Sequence, residues 1–286
     1  MKRTSVFSAL ALVAVGIAPS LVLAQSNSPW LPIPGGGSVG INYVNQSGDS
    51  AYIGDKQLPI SGITGGAAQE YKRQSYGLKL VYGVADAVSV DASIGRSEVR
   101  AGAADNASGV TDSTIGVNWR VLDEFESRSL PTLTLRLAAI VNGSYDGARL
   151  AALGKDASGY ELGATLGRQF GNAFRVWGGL SLEKRSNNVP TATVFDLNGA
   201  YSVTPNLSLS VGYTNKKFDG SLDIGGPSFS PAAFQRVKEQ RETARVGASY
   251  AIAGNQTVAV NLGKVFGGRN TVKDSSILGL GYSYGF

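Results

Sequence analysis

From about residue 36 to the end of the chain, large apolar side chains alternate with small or polar ones. Leu207-Ser208-Leu209-Ser210-Val211-Gly212-Tyr213 is typical, and the pattern returns at Val88–Ile94, Leu133–Leu137 and Val258–Gly263. A strand sends successive side chains to opposite faces, so one face of each segment meets oil and the other something polar or crowded. No long helical period competes, and no stretch after the first two dozen residues reaches the ~20 apolar residues that a spanning helix needs. The pattern predicts an all-β fold, a transmembrane up-and-down antiparallel β-barrel of about 12 strands. The expected spans are 36–46, 70–82, 87–98, 110–122, 131–143, 157–169, 173–184, 191–203, 207–218, 240–252, 256–267 and 274–286.

The connections follow a second rule. Gly83 to Asp86, Gly171-Asn172-Ala173, Thr204-Pro205-Asn206 and Ala253-Gly254-Asn255 are tight and carry turn-forming residues. The alternate connections, such as 47–69 and 219–239, are longer. Short turns on one side and long loops on the other mark outer-membrane barrels, with the short turns and both chain ends on the periplasmic side. The charged connection 123–130 is long for a periplasmic turn, and the external loops after strands seven and eleven are short.

Residues 1–24 read as a signal peptide. Lys2 and Arg3 precede an apolar run from Val6 to Ala18, and Val22 and Ala24 sit where a peptidase needs small or branched side chains before Gln25. Residues 25–35 are then a periplasmic leader and 36–286 the barrel. Trp30, Pro32 and Pro34 bar the leader from being a regular strand. It either tucks into the periplasmic mouth as a partial plug or, more simply, is a flexible leader with one interfacial Trp. At the other end every second residue from Leu278 to Phe286 is apolar or aromatic. Tyr282, Tyr284 and the terminal Phe286 resemble the C-terminal signal read by the barrel-assembly machinery, and aromatics suit the interfacial girdle.

Composition removes several chemistries. The chain has no Cys and no His, which excludes disulfides, thiolate or imidazole metal sites and the Ser-His-Asp triad. No catalytic role and no cofactor are expected. Gly35-Gly36-Gly37 lacks the Lys-Ser/Thr that gives a phosphate loop its mechanism. Asp146 and Asp156, in a loop with Arg149 and Lys155, match no calcium-loop spacing. Without the first 24 residues the balance is 24 basic to 21 acidic, too mild to imply nucleic acid. Lys216-Lys217 and the Lys238 to Arg245 stretch read as solvated loop charge.

Charge on the lipid face of a barrel is costly, about 2–4 kcal/mol for Lys or Arg at mid-depth. The strand charges on the other register are therefore lumen candidates: Lys79, Asp91, Asp112, Arg120, Arg136, Glu161, Arg175, Asp196 and Arg245. Both signs occur, so strong ion selectivity is not indicated. Two readings stand side by side: the charges line a water-filled path, or they pair across strands and close the lumen. Phe229 and Phe234 in the loop 220–234 either contact an apolar ligand or fold the loop onto the rim.

Several phrases resemble one known family, the outer-membrane transporters assigned to the meta-pathway of phenol degradation. Gln74 to Ser93 (QSYGLKLVYGVADAVSVDAS) is similar to its strand, turn, strand hairpin, although the turn lacks that family's Thr-Asp-Arg character. Thr111 to Leu122 resembles its strand with an inward Asp and a closing Arg, and Pro131 to Asn142 the strand after it. Tyr160 to Asn172 and Tyr201 to Tyr213 resemble two later hairpins. The resemblance implies passive movement of small, hydrophobic or aromatic solutes across the outer membrane, with lipid and the assembly machinery as partners and no catalytic residues. The alternative is a non-conducting barrel whose external loops serve adhesion, envelope integrity or surface-polymer export.

Overall fold

The computed structural model describes residues 28–127, 129–145, 152–229 and 236–286. The signal-peptide segment, Asp146, Arg149 and Phe234 lie outside the described residues. Twelve long strands form the body: β1 (Gly37–Gly48), β2 (Tyr71–Ala85), β3 (Val88–Ala101), β4 (Ser113–Leu122), β5 (Thr132–Val141) and β6 (Gly159–Phe170). Then come β7 (Phe174–Arg185), β8 (Ala192–Ser202), β9 (Leu207–Phe218), β10 (Gln240–Ala253), β11 (Gln256–Arg269) and β12 (Ser276–Gly285). Each pairs antiparallel with its neighbours in sequence, and β12 pairs with β1 from Ser38↔Gly285 to Ser47↔Ser276. The ring is closed, so every strand edge has its hydrogen-bond partners within the protein, which a hydrocarbon solvent requires.

The apolar register faces outward on every strand. Ile41, Leu78, Ile94, Ile115, Leu137, Leu162, Leu180, Leu197, Val211, Val246, Leu262 and Leu280, one per strand, are each 45–62% exposed. An uninterrupted apolar belt of this kind is incompatible with water and is what lipid covers. Aromatics flank it: Tyr82, Trp119, Phe170, Phe174, Tyr201, Tyr250, Tyr284 and Phe286 at the short-turn end, and Tyr76, Tyr160, Phe195 and Phe266 nearer the long loops.

Closure depends on one glycine. Gly37 and Phe286 exchange backbone hydrogen bonds at 2.9 and 3.0 Å. A Cβ on Gly37 would meet the Val81 carbonyl and the Phe286 ring, so only glycine lets the first and last strands meet here.

Three connections expected as loops contain β structure. Ser50–Ile53 and Lys56–Pro59 form a hairpin, joined by Val272–Lys273 into a small second sheet, and a single helical turn follows at Ile60–Ile63. Asp105–Val110 pairs with the upper part of β3, extending that hairpin past the belt. The largest buried apolar cluster also lies at the long-loop end, not in the barrel. It joins Ala51, Ile60, Ala68, Tyr71, Val99, Ala101 and Leu153. Leu153 comes from the connection between β5 and β6, so that loop is packed across the mouth.

Candidate solute path

All nine charges singled out from the sequence sit on the register opposite the apolar belt. The structure gathers four of them into one group. Arg136 on β5 binds the Asp91 carboxylate on β3, donates to Asn118 Oδ1 at 3.3 Å, and lies 3.4 Å from Glu161 on β6. Asn118 donates to Asp91 at 2.7 Å. Lys79 on β2 is within electrostatic range of Asp91, Arg136 and Glu161. A second group forms on the far side, where Arg245 Nη2 donates to Asn198 Oδ1 at 2.5 Å and Asn198 donates to Asp196 at 3.0 Å.

The remaining three lie elsewhere. Asp112 is at the long-loop end, where it takes Arg185 and the Tyr145 hydroxyl. Arg120 is at the short-turn end, bound to the Asp86 carbonyl at 2.7 Å and to Asp123 at 3.1 Å. Arg175 is buried on β7.

Sequence reading missed Glu183 and Arg185, although they share the parity of Arg175. Glu183 is fully buried and takes Lys216 Nζ on both carboxylate oxygens, at 2.7 and 2.9 Å. Lys216 is therefore an interior strand residue, not solvated loop charge. The strand β9 ends at Phe218, within the expected span 207–218, and Lys216 shares the inward parity of Ser208 and Ser210. The Lys238 to Arg245 stretch is corrected in part: Arg241 binds Asp274, while Arg245 stands in the lumen wall, where the strand register had already placed it.

The direction of these pairs decides how full the barrel is. Among the described residues, ion pairs between barrel strands join strands at most three apart around the ring, Arg185 to Asp112 ahead of β4 being the longest reach. Two of the long side chains, Arg136 and Arg245, occupy space that glycine leaves open on the wall. A Cβ on Gly116 would sit 2.5 Å from Arg136 Nη1, and one on Gly212 would sit 2.5 Å from Arg245 Nε. Arg136 and Arg245 are thus seated against the wall of the barrel.

What crosses is the segment ahead of β1. Gly35 donates to the Gly83 carbonyl on β2 at 2.9 Å. Earlier in the segment, the Pro29 carbonyl accepts from Thr134 Oγ1 on β5 at 2.7 Å. Trp30 Nε1 donates to Glu124 Oε1 at 2.8 Å, and its ring stands edge-on to Trp177 on β7. Gly167 on β6 leaves room for Pro29 and Trp30. This is the tucked arrangement; Trp30 is inside the barrel and not at an interface. It also accounts for the long, charged connection after β4, since Glu124 turns inward from it to hold both Trp30 and the Gln169 amide at 2.9 Å.

At the long-loop end, Lys155 spans from the β5–β6 connection to Glu239, just before β10, at 2.6 Å, with its ammonium 4.3 Å over the Phe218 ring. Burial pushes the Glu239 carboxyl up, but the Lys155 ammonium outweighs it and holds the group below its ordinary range. The Tyr145 hydroxyl is pushed well above its ordinary value by burial and by donation to Asp112. Asp156 of the same loop accepts from Asn142 at 2.6 Å. Phe229, on the loop after β9, is half-buried.

A closed antiparallel ring with an apolar belt outside and paired charges inside defines a transmembrane β-barrel of the outer-membrane type. The chain belongs to the family described as "Putative MetA-pathway of phenol degradation", which matches residues 69–278. Its fold is similar to the COG4313 outer membrane channel from Pseudomonas putida F1, with a TM-score of 0.72 and 18% identity over 92% of this chain and 100% of that one. The KdgM porin is a looser likeness, with a TM-score of 0.52 and 10% identity over 86% of this chain and 99% of that one. No curated protein sequence matches.

Proposed function

We propose that this barrel is a passive channel for small solutes, hydrophobic or aromatic in character, across the outer membrane. The observation that carries the reading is the seating of Arg136 and Arg245 over Gly116 and Gly212. Guanidinium groups held there answer carboxylates and amides of neighbouring strands, whereas a barrel closed by its charges would pair them across the middle. The segment at 28–36 then narrows the path near the periplasmic end, and the β5–β6 connection narrows the outer mouth. Membership of the phenol-degradation family supports an aromatic solute. The same reading takes residues 1–24 as an export signal, removed on translocation, and Tyr282, Tyr284 and Phe286 as the contact for the assembly machinery. It assigns the protein no catalysis.

The test is flux into vesicles. Proteoliposomes of the refolded barrel should admit phenol faster than protein-free vesicles in a stopped-flow assay, with a rate linear in the concentration difference and no energy source. Equal rates with and without a folded barrel would overturn the proposal.

A further inference from the structure

A cavity of about 230 Å³ lies at the long-loop end, between the loop hairpin, the upper strands and the β5–β6 connection. We infer that it is a binding site for a small molecule with one apolar ring and one carboxylate, of the benzoate kind, whose carboxylate pairs with Arg73. The inference rests on the channel reading only for the passage of the solute once released, and it names the class of solute captured at the outer mouth.

Size comes first. A cavity of about 150 Å³ already accepts a benzene ring, so this one has room for a ring and a small substituent but not for a long acyl chain. Its walls are two-sided. Ile53, Ile60, Ile63 and Val237 supply an apolar side, and Tyr71 and Arg73 a polar one. An apolar pocket with a few convergent polar groups is the usual form of a small-ligand site.

Charge then selects the head group. Three cations line the cavity: Arg73, Lys155 and Arg241. Lys155 is bound to Glu239 at 2.6 Å and Arg241 to Asp274. Arg73 differs, since its Nη2 donates to neutral oxygens, the Leu153 carbonyl at 2.9 Å and Ser97 Oγ at 3.5 Å. Among the described residues no carboxylate lies at ion-pair distance from it. Asp274 is within electrostatic range of Arg73 but is bound to Arg241, so among the described residues the site carries one positive charge in excess, on the side chain best shaped for a planar carboxylate. Its Leu153 contact also ties it to the loop that covers the mouth. A neutral hydrocarbon would leave that charge unanswered, and a bare small anion would leave the isoleucines unfilled.

The experiment is equilibrium dialysis of radiolabelled benzoate against the full barrel in lipid nanodiscs, with empty nanodiscs as the partition blank. Saturable binding of one benzoate per barrel is expected. Loss of the Arg73 charge in R73Q should weaken it about 10- to 100-fold, as for a hydrogen bond to a charged group, while R73K should retain part of the affinity. Ile63→Trp, which fills the apolar side, should abolish it. Acetate and toluene should each compete at least tenfold less well than benzoate. Heat-modifiable electrophoretic mobility reports that each variant is folded, and a misfolded R73Q leaves Ile63→Trp and the competition series to decide. Absent saturable binding, binding indifferent to R73Q, or toluene competing as well as benzoate would each overturn the inference. Phenol flux into vesicles separates it from the channel reading: flux without Arg73-dependent binding defeats the site alone, and binding without flux defeats the channel alone.

Discussion

Trp30 and Trp177 meet with ring centroids 5.9 Å apart at an interplanar angle of 73°. Trp30 precedes β1, and Trp177 is on β7, halfway round the twelve-strand ring. The contact therefore fixes a bridge across the lumen. Trp30→Ala removes both the ring contact and the donor to Glu124 while leaving the strands intact. Single-channel conductance should rise at least twofold, with unchanged heat-modifiability. Unchanged conductance would show that the bridge does not set the narrowest point.

Arg136 holds Asp91 and Glu161 together inside the wall. Removing it leaves two interior carboxylates facing each other, and breaking a buried pair from one side costs about 3–5 kcal/mol. Arg136→Leu should lower the free energy of urea unfolding of the refolded barrel by that margin, and its urea midpoint accordingly. Adding Asp91→Asn should recover part of it, because the partner's charge goes too. Equal midpoints for the single and double variants would contradict the pairing.

Gly116 gives Arg136 its place against the wall. Gly116→Val should push the guanidinium into the lumen, since even a Cβ would sit 2.5 Å from Nη1. Conductance should fall without loss of folded barrel. The same substitution at Gly254, which has open space at its Cβ position, should leave conductance unchanged.

Glu239 and Lys155 close the outer mouth in a pH-dependent way. The folded Glu239 carboxyl titrates below its ordinary value of about 4.3, so the pair's contribution is complete above that pH and is lost as pH falls through the lower folded value. Asp223, held below its own ordinary value of about 3.9 by hydrogen bonds from Arg269 and Asn270, loses its contribution at lower pH still. Protease cleavage within 152–158 should accelerate several-fold below about pH 4. Glu239→Gln should show the faster cleavage already at pH 7. A cleavage rate flat with pH in the wild type would contradict the assignment.

The belt was legible in the sequence because lipid demands one thing of it. An outward position must be apolar, so the parity of Val88-Ser89-Val90 fixes which way Asp91 points even before its strand is paired. Where that demand stops, so does the signal. Asp105–Val110 (DNASGV) pairs as a strand above the belt, where lipid does not reach and its inner face needs only small residues such as Ala107 against the loop cluster. The leader's prolines exclude a strand but carry no information about which wall receives Trp30. That wall is set by Glu124 and Gly167, which are distant in sequence and ordinary in type. The Arg73 cavity depends on separate segments meeting at the mouth, and no local pattern announces it.

The central claim is that a continuous path runs past the paired charges and is narrowed by Trp30. Planar-bilayer recording of the refolded protein tests it most directly. Discrete conductance steps in the wild type, enlarged in Trp30→Ala and reduced in Gly116→Val, are the predicted result. Folded, heat-modifiable barrels that give no steps in the wild type or in Trp30→Ala would contradict it.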